Sequence, residues 1–117
     1  MDSIAFVITS APYGREEAFR GIYLSFATVS KHVITFLLLL GDGVYSALKD
    51  QRGKIIEYPD VSQLVQNILA MEGRAYASRS SCEVRGIKKD ELIEGVELAS
   101  DIRLAWILVR TEGSIVF

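Results

Sequence analysis

The sequence predicts an α/β protein built on a parallel sheet, and three observations carry that reading. Two short, almost uninterrupted apolar runs, "IAFVIT" at residues 4–9 and "HVITFLLLL" at residues 32–40, have the composition of strands covered on both faces. Each run gives way at once to turn residues, "SAPYG" after the first and "GDG" after the second. A helical pattern follows each turn, and the alternation strand, helix, strand, helix is how parallel sheets are laid down.

The first helix is expected over about residues 14–31. Phe19, Ile22, Tyr23 and Phe26 recur there at helical spacing, and Glu16 and Glu17 occupy the first turn, where the helix dipole favours negative charge. His32 begins the second strand. The glycine-rich turn at residues 41–43 leads into a short helix over "VYSALKD", with Asp42 placed to cap it. Such a turn exposes backbone N–H groups that suit a phosphate. It lacks the spacing of a phosphate-binding fingerprint, however, and the simpler reading is a turn that needs positive φ at Gly41 or Gly43.

"KIIEY" at residues 54–58 reads as a short edge strand ended by Pro59. Asp60 then caps a helix, Gln63 completes a pair resembling a capping box, and Val61, Leu64, Val65, Ile68 and Leu69 form the inner stripe. Gly73 is its natural stop. "RAYAS" at residues 74–78 is the next strand. Beyond it the chain opens with a short helical pattern and ends in the strand-like "SIVF". Between them "RLAWILV" fits a buried helix or a buried strand equally well. As a helix over residues 101–112 it is apolar nearly all round, which points to a subunit interface. No repeat or linker divides the chain, so one domain over residues 1–117 is expected.

Composition narrows the function. The 117 residues are half hydrophobic and 24% charged, with 13 basic against 15 acidic side chains and a net charge of −2. That is the make-up of an ordinary globular domain without a basic field for nucleic acid. The strongest apolar run, "VITFLLLL", is far shorter than the roughly 20 residues that span a bilayer as a helix. No basic leader opens the chain, so the expected location is the cytoplasm, with no membrane partner. His32, Cys82 and the scattered carboxylates show none of the usual metal-ligand spacings, and neither a metal nor a dissociable cofactor is expected.

The stretch "SRSSCEVRGI" holds the single cysteine, Cys82, just past the end of a strand. In open parallel sheets that edge is where ligands and reactive groups collect. Arg79 and Arg85 each lie three residues away. A turn starting near Cys82 would bring both guanidinium groups and several N–H groups around the sulfur, favouring the thiolate. A lone thiol cannot run a dithiol cycle, and the one histidine offers no base. On residue types alone Cys82 is either a reactive thiol or a small residue filling a tight loop. A third arrangement, a small-molecule pocket at the same sheet edge, would use Tyr13, Gly14, Gly41, Asp42 and Gly43.

The run "CEVRGIKKDELIEGVELA" resembles the C-terminal signature of the DsrE/DsrF-like family, in which a cysteine is followed by Arg-Gly, a short acidic helix and Gly-Val. Its specific positions here are Cys82, Arg85, Gly86, Gly95 and Val96, supported upstream by "PYG" and "GDGV". The resemblance implies a three-layer α/β/α fold with a mainly parallel sheet of about five strands, assembled as homotrimers or homohexamers. It favours the helix reading of residues 101–112. In the DsrE and TusD branches it also implies a persulfide carried on the cysteine that Cys82 matches, within a relay of sulfur donor and acceptor proteins. Some members have Cys-x-x-Cys here, and Arg79 takes the place of the first cysteine, which leaves the one-cysteine carrier. The expected function is that of a sulfur carrier or sulfurtransferase using Cys82, with Arg79 and Arg85 stabilising the anion. The alternative is an oligomeric subunit or binding module in which Cys82 is structural.

Overall fold

The structure, a computed structural model, describes residues 2–13, 16–49 and 61–117. Strands β1 (Ser3–Ile8), β2 (Ile34–Leu39), β3 (Arg74–Ser78), β4 (Glu97–Ala99) and β5 (Gly113–Val116) form one sheet in the order β4-β3-β2-β1-β5. Every pairing is parallel. The helices are α1 (Glu16–Ser30), α2 (Val61–Ala70), α3 (Arg79–Val84) and α4 (Asp101–Arg110), with a 3-10 segment over Gly41–Ala47 and a 3-10 turn over Lys89–Glu91. The predicted strand at residues 54–58, its Pro59 stop and the Asp60 cap lie outside the described residues.

The pleat divides the strands between two cores. Phe6, Ile8, Leu37, Leu39, Ala75 and Ala77 face α1 and α2 and pack with Ala18, Ile22, Val61, Val65 and Ile68. Ala5, Val7, Leu38, Tyr76 and Ala99 face the other way, onto Leu104 and Ile107 of α4. Helices on both faces of a parallel sheet make the α/β/α layering that the family resemblance implies.

Several elements differ in detail from expectation, each for a physical reason. The buried side of α1 is Ala18, Gly21, Ile22, Ser25 and Val29, whereas Tyr23 is exposed and Phe19 and Phe26 are only half-buried. Small residues win because the helix lies close: a Cβ on Gly21 would collide with Ile8 and sit 2.8 Å from the Phe117 ring. The stop of α2 is Glu72 at φ 71°, not Gly73. Glu72 donates its N–H to Leu69 and Gly73 to Ile68, the paired bonds of a Schellman end, and Gly73 is needed because a side chain there would press on Ile68. The same bonds end α1, with His32 at φ 65°, so β2 starts two residues after His32 rather than at it.

The helix that "VYSALKD" suggests begins earlier, as the 3-10 segment that includes the glycines. The helical pattern after Gly86 is realised only as the turn Lys89–Glu91. Residues 91–93 instead run back along residues 47–49, through Ile93 N–H to the Ala47 carbonyl at 2.8 Å and Lys49 N–H to the Glu91 carbonyl at 3.1 Å. Strand β4 follows, three residues long, and had no readable pattern in the sequence.

Candidate functional site

Cys82 sits in α3, which leaves β3 without a linker, since the last strand residue is also the cap. Ser78 Oγ accepts the Ser81 N–H at 3.2 Å, holding the first turn. The other end is a Schellman motif: Ile87 N–H donates to the Cys82 carbonyl at 2.9 Å and Gly86 N–H to the Glu83 carbonyl at 3.2 Å, with Gly86 at φ 68°. This explains "CEVRGI" locally. Gly86 supplies the left-handed turn, and Cys82 and Ile87 stand at the two positions whose apolar contact accompanies that motif; both belong to the α1/α2-side core. The helix therefore starts three residues before Cys82, and the thiol lies past its free N–H groups rather than among them.

Two neighbouring strand ends are tied together above the thiol. From the segment after β2, Gly41 donates its N–H to Ser81 Oγ at 2.9 Å. From the end of α3, Arg85 donates Nη1 to the Ser81 carbonyl at 3.0 Å, and both Nε and Nη2 to Asp42 Oδ1 at 3.1 and 2.9 Å. Cys82 is 2% exposed, packed in the cluster that also holds Val44, Ala47, Leu92 and Ile93. Burial pushes its thiol above the ordinary value; the Arg85 guanidinium pulls the other way and the Glu83 carboxylate adds to the rise. In this conformation the sulfur is a covered, neutral thiol.

The residues singled out from sequence divide accordingly. Arg85 acts on the thiol, while Arg79, the first residue of α3, is exposed, and the charges that move the Cys82 pKa are those of Arg85 and Glu83. Gly41 takes the positive φ, at 55°. Gly43 is required for space, because a Cβ would run into the Ile8 carbonyl. Asp42 does not cap a helix; the segment has no side-chain cap, and Asp42 receives Arg85 instead. The Tyr13 hydroxyl accepts the Val61 N–H at 3.3 Å at the start of α2, and the ring is half-buried against the core. Gly14 lies outside the described residues. Sequence reasoning missed Ser81, which bonds to both Gly41 and Arg85; the serine run before Cys82 was the only signal for it. Where the strand order reverses, between β1 and β5, the Phe117 carbonyl accepts both the Thr9 N–H and its hydroxyl at 2.8 Å, so that crevice is filled by the chain itself.

Among the described residues no group of three His, Cys, Asp or Glu side chains is arranged to hold a metal ion, and no helix is long and apolar enough to cross a membrane. Comparison with known proteins agrees with this architecture. The model of the DsrE/DsrF-like family matches residues 2–111. An uncharacterised protein of Methanocaldococcus jannaschii is 32% identical over 94 residues, covering 80% of this chain and 81% of that protein. Protein YchN of Escherichia coli is 29% identical over 111 residues, 92% of this chain and 93% of its own length. The YchN crystal structure superposes with a TM-score of 0.92 at 26% identity, each chain covered completely. A protein of unknown function from Methanobacterium thermoautotrophicum shares the fold, at a TM-score of 0.71 and 17% identity.

Proposed function

Because the chain belongs to the DsrE/DsrF-like family, we propose that it is a cytoplasmic sulfur carrier that holds sulfane sulfur as a persulfide on Cys82 and yields it to an acceptor thiol. The observation that carries this reading is the position of Cys82: the chain's only thiol, on the helix leaving β3 at the C-terminal edge of the sheet, under the influence of the Arg85 guanidinium. The Cys82 thiolate attacks the outer sulfur of a donor persulfide. A bond forms between Sγ and that sulfur, the donor's S–S bond breaks, and the donor leaves as thiolate. Charge and oxidation level balance without a cofactor. Discharge repeats the step in the other direction, with the acceptor thiolate as nucleophile. Arg85 stabilises the sulfur anion in each step, and Arg79, exposed at the start of α3, faces an approaching partner.

The carrier works as a homo-oligomer, a trimer or hexamer. In support, α4 buries only Leu104 and Ile107, while Ile102, Trp106 and Val109 are 73, 56 and 75% exposed. The burial of Cys82 favours a second reading, an oligomeric binding subunit in which the cysteine is the apolar partner of Ile87. Intact-mass spectrometry after incubation with a small persulfide donor separates the two. The carrier gains one sulfur atom, removable by a thiol reductant, on the wild type and not on Cys82→Ser. No gain on a correctly folded wild type leaves the binding subunit.

A further inference from the structure

The pair Asp42–Arg85 joins two segments, one after β2 and one after β3, beside the Gly41–Ser81 hydrogen bond. Its members are unequally exposed, 23% for the Arg85 side chain and 58% for Asp42. Solvent and an arriving protein therefore reach the carboxylate. The helix it fastens has six residues, too few to persist without tertiary contacts, and its outward residues Arg79, Ser80, Glu83 and Val84 are all exposed. Cys82 is the buried residue of that helix. Short elements of this kind open locally, at a lower free energy than the whole domain.

We infer that the Asp42–Arg85 ion pair, with the Gly41–Ser81 hydrogen bond beside it, is a latch that holds α3 down with Cys82 packed beneath it, and that its release exposes the thiol. The inference rests on the sulfur-carrier reading for what the opened site receives, although the opening itself does not depend on it. One movement has two effects. Lifting α3 uncovers the sulfur, and it frees the guanidinium from the carboxylate that shares its charge, so that Arg85 passes from Asp42 to a sulfur anion. A partner presenting a carboxylate would trigger the exchange by competing for Arg85. Besides Cys82, the ionisable groups of α3 and its C-cap are Arg79, Glu83 and Arg85, those of the 3-10 segment packed on it are Asp42 and Tyr45, and those of β3 are Arg74 and Tyr76, so Asp42 is the only carboxylate on these facing segments.

The latch is tested by the rate at which iodoacetamide, a small neutral reagent, alkylates Cys82 in the folded protein. Exposed pairs of this kind hold their groups together by a factor of up to about five, so Asp42→Asn raises the rate up to about fivefold near pH 8. It also moves the midpoint of the pH–rate profile downward, because an opened α3 relieves the burial that raises the thiol. Ser81→Ala, which removes the second tie, raises the rate as well. Ile68→Val, a core change in α2, leaves the rate at the wild-type value. Equal rates for wild type and Asp42→Asn overturn the inference, as does an equal acceleration by Ile68→Val, which would mean exposure only through global unfolding. Faster alkylation with no sulfur uptake by either protein keeps the latch and removes the carrier. Sulfur uptake with no effect of Asp42→Asn does the reverse.

Discussion

On one face of the sheet α1 and α2 seal the strands, so that Ile8, Leu37, Leu39, Val65 and Ile68 are fully buried; on the other, among the described residues, α4 alone covers the middle and leaves Ile34, Trp106, Val109 and Val116 at 59, 56, 75 and 66% exposure. The sealed face reaches its density with small residues, Ala18, Gly21 and Ser25, and with glycines that a side chain would displace. The open face keeps large apolar groups that the isolated chain does not bury. A groove of about 600 Å³ runs between α4 and the strand starts, lined by Ile34, Phe36, Trp106 and Ile107 with Arg103 and Arg110. The difference teaches where each property resides. Stability of the single chain rests on the sealed face, which also holds Cys82, and the open one is where the proposed association would form.

The sharpest contrast comes from truncating one residue on each face. Leu37→Ala empties a fully buried site and is expected to lower stability by about 2–5 kcal/mol in denaturant titrations. Trp106→Ala removes a ring that is 56% exposed. It is expected to change single-chain stability by less than about 1 kcal/mol while shifting the sedimentation coefficient toward smaller species. A Trp106 variant as damaging to folding as Leu37→Ala would erase the distinction.

Backbone changes probe the sealed face more finely. Gly86→Ala meets open space but must hold φ near 68°, so a loss of about 1–2 kcal/mol is expected from conformation alone. His32→Gly relieves the same conformation at the end of α1 and is expected to raise the unfolding midpoint by the equivalent of up to about 1 kcal/mol. The smallest effect concerns pH. Burial raises the Cys82 pKa in the folded chain, so the folded state holds its proton more tightly than the unfolded one. That contribution is complete below the ordinary thiol range and is lost as pH rises through it, toward the raised value. Wild type is therefore expected to lose stability relative to Cys82→Ser only above about pH 8.5.

What the sequence disclosed follows from which features are local. β1 and β2 were legible because parallel strands buried on both faces read as continuous apolar runs, and α2 because its stripe is regular. β4 was not, since three residues carry no period, and its place in the sheet comes from its parallel pairing with Tyr76, Ala77 and Ser78 of β3. The helix over residues 101–110 looked ambiguous because Ile102, Trp106, Leu108 and Val109 are apolar yet face outward; the signal that settles it is Ser100, whose hydroxyl accepts the Arg103 N–H and starts the helix. At the candidate site Cys82, Arg85 and Gly86 were visible as a group. The partner of Arg85 was not, for Asp42 is 43 residues away and no spacing rule links them. The burial of the thiol was equally hidden, although Gly86 and Ile87 are a helix-end pattern that places an apolar residue at Cys82.

The most direct test of the carrier is discharge. Protein loaded with one sulfur is separated from the donor and mixed with a thiol acceptor, and the masses of both are followed with time. The expected result is that the sulfur leaves Cys82 as the acceptor gains one sulfur atom, faster for Asp42→Asn than for wild type. Sulfur that never enters the folded wild type, or that enters and stays while the acceptor gains nothing, would contradict a carrier at Cys82.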